Sequence, residues 1–454
     1  MANLHTNLAG IKSPNPFWLA SAPPTNSGYQ VMKAFDAGWG GAVWKTLGVP
    51  IINVSSRYGS VNYRNSRMIG FNNIELITDR PLKDNLREIE AVKKRFPDHA
   101  VIASLMVETR EEWHQIMRDV TNAGADGVEL NFGCPHGMCE RGMGSAVGQE
   151  PKVLKTIVGW VKEVATIPVI VKLTPNITDI TRPALAAAEG GADAISLINT
   201  IQSIVGVDID NFVPYPAVDG KSTNGGYCGP AVKPIALNML KNCTQHPQIG
   251  IPVSGIGGIE NWRDAVEFIL LGATSVQVCT AVMHYGFGII REMVAGLEQY
   301  MDEKGFGTLA DMRGKALPNI TPWEELNLEY KIVAGIDEHK CIGCQLCYTA
   351  CEDGAHQAIG LSSNPLNRVP HILEENCVGC NLCSLVCPVE GCITMERRDA
   401  GDKHQSWKDR TLAGNIPVSF DDELAGGVHH WVPEAEEGLG KVGARHYKSM
   451  PSSG

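Results

Sequence analysis

The sequence predicts an α/β chain in which a (β/α)₈ TIM barrel is followed by a small cysteine-rich α+β domain. Three observations carry this expectation. Short apolar runs alternate with helix-patterned segments eight times, a glycine punctuation recurs between them, and eight cysteines crowd into two compact runs between Cys341 and Cys387.

The eight runs span residues 16–22, 41–46, 100–106, 127–133, 168–174, 194–200, 251–257 and 275–281. Most are continuous apolar stretches, as parallel strands covered on both faces require. Segments 111–123, 151–165 and 262–271 repeat their apolar residues at helical spacing. The punctuation reads Ala37-Gly38-Trp39-Gly40, Ala123-Gly124-Ala125-Asp126, Gly190-Gly191-Ala192-Asp193 and Leu271-Gly272-Ala273-Thr274. Glycine just past a helix end takes the left-handed conformation that stops the helix. A doubly wound open sheet is the runner-up, but no G-x-G-x-x-G follows a strand. Gly255-Ile256-Gly257-Gly258 comes nearest and lacks the spacing.

Barrel chemistry sits at the C-terminal ends of the strands. Those ends carry Lys45-Thr46, Asn131, Lys172, Asn199-Thr200, Gly257-Gly258 and Cys279-Thr280. Each alone reads as a rim or turn residue. Their joint placement on one rim points to an anionic or heteroaromatic ligand. The glycine pair after the seventh strand suits a phosphate. Lys45 and Lys172 are the groups to stabilise negative charge on a reduced isoalloxazine ring.

Residues 131–144 follow the fourth strand, are rich in glycine and almost free of aliphatic side chains, and read as a mobile loop. A loop able to cover a site and bearing a thiol can carry a general acid, which makes Cys134 the catalytic candidate. Cys139, Cys228, Cys243 and Cys392 read as inert small hydrophobes. Cys279 reads as lining the cofactor site through its backbone.

Cys341, Cys344, Cys347 and Cys351 repeat the spacing of Cys377, Cys380, Cys383 and Cys387. Three thiols at successive two-residue gaps followed by a fourth after three residues is the two-[4Fe–4S] ferredoxin run, in which the fourth cysteine of each motif ligates the other cluster. One cluster then takes Cys341, Cys344, Cys347 and Cys387, the other Cys377, Cys380, Cys383 and Cys351. Structural zinc prefers ligands in separated pairs, which this spacing does not offer. The expected boundaries are 1–310 for the barrel, 311–334 for a linker with a short helix around 323–330, and 335–399 for the cluster domain. A charged, glycine-rich extension over 400–454 is expected to pack on a partner or neighbouring subunit.

At 454 residues, 44% hydrophobic and with a net charge of −11, the chain has ordinary globular composition and no basic cluster for nucleic acid or an anionic membrane surface. The N-terminal segment has no apolar core long enough for a signal peptide, and no run reaches the roughly 18 apolar residues of a membrane span. A cytoplasmic protein is the expectation. Thiols clustered in a reducing compartment read as metal ligands rather than cross-links.

The set Ala20-Ser21-Ala22-Pro23-Pro24, Asn73-Ile74-Glu75-Leu76, Cys134-Pro135-His136-Gly137, Lys172-Leu173-Thr174-Pro175-Asn176, Asn199-Thr200 and the ferredoxin run resembles the dihydropyrimidine dehydrogenase family. The likeness is to the FMN/iron–sulfur subunits of its bacterial NAD-dependent members and, more distantly, to dihydroorotate dehydrogenases. It spans residues 1 to about 395. The resemblance implies FMN contacts from Ser21, Lys45, Thr46, Lys172, Gly229, Ile256, Gly257, Gly258, Cys279 and Thr280. It implies a pyrimidine, uracil or thymine, held by Asn73, Asn131, Gly133, Asn199 and Thr200, with Cys134 as proton donor. The family often has serine where this chain has Gly133, so a hydroxyl is missing there. An FAD- and NAD-binding iron–sulfur partner subunit is also implied, with a homodimer of this chain inside a heterotetramer. Two other functions remain open on sequence: oxidation of dihydroorotate or another cyclic amide, and electron transfer with a catalytically silent barrel.

Overall fold

The computed structural model describes residues 2–135, 142–364, 368–398 and 404–413. Part of the expected mobile loop, including Cys139, and most of the 400–454 extension lie outside them. The described residues divide into two compact units between Ile320 and Thr321.

The first unit is a closed eight-stranded parallel barrel. Its strands are β1 (Phe17–Leu19), β2 (Gly41–Leu47), β3 (Ala100–Leu105), β4 (Gly127–Asn131), β5 (Val169–Lys172), β6 (Ala194–Leu197), β7 (Val253–Ile256) and β8 (Ser275–Val278). Each pairs with its sequence neighbours, and β8 returns to β1, so no edge is left unpaired. All eight expected runs are barrel strands. The expected helices form at Arg110–Asn122, Pro151–Lys162 and Trp262–Leu270. The first and third start from capping boxes, Thr109 with Glu112 and Asn261 with Asp264.

The outward faces of the strands are apolar, as expected. Leu19, Trp44, Leu105, Leu130, Val171, Leu197, Val253 and Val276 pack with the helices in one continuous core. The inward face is different. Its lower layer is apolar, where a hairpin of Thr6–Leu8 and Ile11–Ser13 brings Leu8 and Ile11 against Trp18, Val43, Ile102, Ile170 and Ala194. Its middle layer is polar: Glu129, Ser196, Ser254, Ser275 and Gln277 are all buried. The reading of two apolar faces therefore holds for the outside and the lower inside layer and fails for the inner layer above it, because the barrel's upper half forms the floor of a polar cleft.

Above the rim lies a four-stranded antiparallel sheet that the sequence reading did not anticipate. Its order is Ile201–Ser203, Gly225–Cys228, Ser66–Asn73 and Tyr58–Tyr63. These strands are insertions after β2 and β6, and they bring Asn73 opposite Gly226.

The first unit runs on past residue 310. Met312 is fully buried in the barrel core, and the amides of Gly314 and Ala316 donate to the carbonyls of Ile269 (3.0 Å) and Leu270 (3.0 Å). In place of a helix around 323–330 there is one 3₁₀ turn, Trp323–Glu325. The following backbone turns elsewhere for its hydrogen bonds, as the Leu328 amide donates to Gln405 O (2.8 Å).

The second unit has a two-fold internal resemblance. Ile332–Ile336 pairs antiparallel with Ile393–Arg397, and Ile359–Gly360 with His371–Ile372. Two helices, Leu346–Gly354 and Leu382–Val386, pack together. Gln345 (φ 63°) and Asn381 (φ 69°) occupy the same left-handed position just before these helices. Among the described residues no helix is long and apolar enough to cross a membrane.

Candidate active site and thiol cages

The C-terminal mouth of the barrel is an open cleft. Ser21, Lys45, Thr46, Asn73, Asn131, Cys134, Lys172, Asn199, Thr200, Gly229, Ile256, Gly257, Gly258, Cys279 and Thr280 all line it. The structure thus gathers residues from seven strand ends and the overlying sheet into one space. Gly133 is not part of its lining. It sits behind Asn199, so close that a Cβ there would come within 2.3 Å of Asn199 Cβ.

Amide and hydroxyl groups on one side form a chain. Asn199 Nδ2 donates to Asn131 Oδ1 (2.9 Å), which also accepts from the Gly133 amide (3.3 Å). Asn131 Nδ2 donates to Thr46 Oγ1 (3.0 Å), which lies 3.2 Å from Ser21 Oγ and 2.9 Å from Ser104 Oγ. Asn73 Nδ2 donates to Gly226 O (3.2 Å). These bonds fix the planes of the three asparagine side chains while each amide keeps capacity to spare.

Two buried lysines stand on the floor, each beside a carboxylate. Lys45 pairs with Glu75, which also accepts from the Tyr58 hydroxyl and has Arg57 Nε at 3.6 Å. Burial, reinforced by Glu75, pushes the Tyr58 phenol up to about 12, so it stays neutral. Lys172 Nζ lies 3.5 Å from Glu129 Oε1. Glu75, Glu129, Gln277 and Tyr58 escaped the sequence reading. Glu75 sat inside a quoted motif without a role, and nothing local marks Glu129 as interior.

Gly257 (φ 129°) and Gly258 (φ 75°) turn the chain at the end of β7, where the helix Lys233–Gln245 begins. A Cβ on Gly258 would meet Lys233 Cβ at 2.8 Å, and one on Gly257 would meet Ala236 Cβ at 2.7 Å. Only glycine fits this close approach. Lys233 is engaged by Asp264 (2.6 Å) and Glu267 (2.9 Å), leaving the cradle to backbone amides. Burial pushes the thiols of Cys228 and Cys279 up to about 11 and about 12, so neither is a thiolate at neutral pH. Cys134 is half-buried, its carbonyl tied to the Ser145 amide (3.0 Å).

The residues fit a phosphate-bearing, electron-rich planar cofactor. The glycine cradle admits no side chain. Among the described residues Glu129 Oε1 and Gln277 Oε1 are buried without a hydrogen bond, on the floor where Lys172 stands, so this layer retains hydrogen-bonding capacity beneath the cleft.

In the second unit, Cys341, Cys344, Cys347 and Cys387 line one void. Cys351, Cys377, Cys380 and Cys383 line another. The fourth cysteine of each motif therefore faces the three of the other. Among the described residues no three thiols, imidazoles or carboxylates close tightly on a single metal ion. Four thiols facing each void suit a polynuclear cluster.

Residues 3–301 match the family model for dihydroorotate dehydrogenase, and residues 334–395 match that for a 4Fe-4S dicluster domain. The chain belongs to the dihydroorotate dehydrogenase family. It is an oxidoreductase of that family carrying a C-terminal iron–sulfur dicluster domain. It is 45% identical over 395 residues to the NAD-dependent dihydropyrimidine dehydrogenase subunit PreA of Escherichia coli K12, covering 87% of this chain and 95% of that one. It is 44% identical over 338 residues to the chloroplastic dihydropyrimidine dehydrogenase (NADP(+)) of Arabidopsis thaliana, covering 71% and 79%. It is 38% identical over 325 residues to the catalytic subunit of dihydroorotate dehydrogenase B (NAD(+)) of Thermococcus kodakarensis, covering 70% and 99%.

Proposed function

We propose that this family member is the catalytic, iron–sulfur subunit of a NAD-dependent dihydropyrimidine dehydrogenase, interconverting uracil or thymine and the 5,6-dihydro base. The observation that carries the reading is the amide array of Asn73, Asn131 and Asn199 facing a cleft whose cations are already paired. Uracil is neutral, with alternating donors and acceptors on its edges, and carboxamides match such edges with paired hydrogen bonds.

Lys45, Lys172, Ser21, Thr46 and the Gly229, Gly257–Gly258 and Cys279–Thr280 backbone would hold FMN. When bound, FMN supplies the hydride, and two [4Fe–4S] clusters deliver its electrons singly. The asparagines and Thr200 orient the base. Cys134 would protonate C5 of the base, and the paired lysines would offset the negative charge that develops on the ring system. One cluster would be held by Cys341, Cys344, Cys347 and Cys387, the other by Cys351, Cys377, Cys380 and Cys383. A relative named as a subunit supports a partner, and on this reading NAD and FAD would be bound there.

Kinship to dihydroorotate dehydrogenases supports orotate as the second reading. Orotate's carboxylate wants a cation, and the only cations lining the cleft among the described residues are Lys45 and Lys172, both beside carboxylates. The test is an anaerobic titration of the reduced protein with uracil and, separately, orotate, followed by flavin absorbance. Reoxidation by uracil is expected. Reoxidation by orotate alone would replace this function with the second reading, and reoxidation by neither would leave a silent barrel.

A further inference from the structure

The two thiol cages are built alike but not lined alike. Each is closed by a small residue just before a strand isoleucine: Ala358 before Ile359, seven residues after Cys351, and Cys392 before Ile393, five residues after Cys387. Both are 2% exposed in the core of this unit. Ala358 lines the void of Cys351, Cys377, Cys380 and Cys383, whereas Cys392 lines that of Cys341, Cys344, Cys347 and Cys387. One cage thus has a methyl group where the other has a fifth thiol.

Cys392 lines the same void as the thiols of Cys341 and Cys387, and both of these pack against the buried cluster that holds it. The Cys392 S–H donates to the carbonyl of Asp337 at 3.7 Å. That carbonyl already accepts from the amides of Lys340 (3.2 Å) and Cys341 (3.0 Å). Once Cys341 and Cys387 act as anionic cluster ligands, charged acceptors in the same void compete for this S–H with a neutral carbonyl that is already satisfied. Hydrogen bonds to charged acceptors are the stronger kind.

On the iron–sulfur reading given above, we propose that Cys392 is a positioning residue. It donates its S–H to the ligand sulfurs of one cluster and holds that cluster at a higher reduction potential than its neighbour. The direction follows from charge. Reduction adds an electron to the cluster, and a donor aimed at its sulfurs stabilises the more negative state. The cage containing Cys392 is then the station where an electron rests, and the cage containing Ala358 the one it leaves readily. The difference between two otherwise matching motifs is set by one sulfur.

The experiment is an EPR-monitored redox titration of the anaerobically purified full chain, with iron content measured on the same samples. The wild type is expected to show two clusters with separated midpoints. Cys392→Ala should keep full iron and lower one midpoint only, cutting that cluster's reduced fraction at fixed potential by roughly fivefold, about one modest hydrogen bond. Cys392→Ser, which keeps a donor, should fall between. Ala358→Cys should raise the other midpoint and narrow the gap. Unchanged midpoints in Cys392→Ala with full iron would overturn the proposal, as would loss of half the iron, which would make Cys392 a ligand or a structural support. A wild type without two clusters would instead overturn the iron–sulfur reading itself.

Discussion

Lys172 and Glu129 form a buried pair at the centre of the barrel, with Nζ 3.5 Å from Oε1 and side-chain exposures of 6% and 0%. The other carboxylate oxygen accepts from Ser196 Oγ (2.8 Å) and Gln277 Nε2 (3.0 Å). Lys172 is therefore braced from below by a carboxylate that is itself braced across β6 and β8. Glu129→Gln removes the counter-charge and leaves the ammonium buried. Breaking one side of a buried pair costs about 3–5 kcal/mol. Urea unfolding of the variant should show a loss of that order, and Glu129→Gln combined with Lys172→Met should recover part of it. A single-variant loss below about 1 kcal/mol, the range of exposed pairs, would mean the two charges do not interact strongly.

Gly133 and Asn199 are packed back to back. Gly133→Ser should push Asn199 off Asn131, at an overpacking cost of about 1–3 kcal/mol. With the asparagine array broken, uracil binding should weaken roughly five- to tenfold, the value of about one hydrogen bond. Flavin content should hold. Unaltered uracil affinity, read from flavin reoxidation at varied uracil, would show that Asn199 does not touch the base.

Cys134→Ala should retain flavin and iron yet lose most turnover, because hydride transfer stalls without a proton for C5. General acid catalysis contributes roughly 10²–10⁴-fold. Cys134→Ser should keep a small residue of the rate, its hydroxyl being a weaker acid. Near wild-type turnover in the alanine variant would remove Cys134 from the mechanism.

Replacing Cys344 should take away one cluster while the other and the flavin remain, since the barrel is a separate unit. Iron should fall from about eight atoms per chain to about four, and electron delivery should stop. Loss of flavin along with iron would mean the two units do not fold independently.

The chain alone is expected to stay inert with NADH and to reduce uracil when given an artificial one-electron donor. Stopped-flow anaerobic mixing with NADH checks this: rapid bleaching of the flavin would place a nicotinamide site on this chain.

The barrel was legible because its signals are local. Apolar runs between glycine stops specify buried parallel strands whichever partners they find, and strand ends fix which residues reach the rim. Thus Lys45, Asn131, Lys172 and Asn199 could be named before any contact was known. The cysteine run was legible for the same reason, since its information lies in spacing.

What only the tertiary structure decided are relationships between residues far apart in the chain. Glu129 reads as one polar residue in an apolar strand, and its burial against Lys172, Ser196 and Gln277 exists only once the ring closes. Glu75 meets Lys45, and Asn73 faces Gly226, because insertions after β2 and β6 pair above the rim. Gly133 looked like a missing hydroxyl until its distance to Asn199 showed that a side chain has no room there. Cys392 looked inert until it was found beside Cys341 and Cys387. The physical reason is common to all four cases. Periodicity encodes which face of its own element a residue occupies, whereas charge pairing, close approach and hydrogen bonding depend on distances that only the folded chain defines.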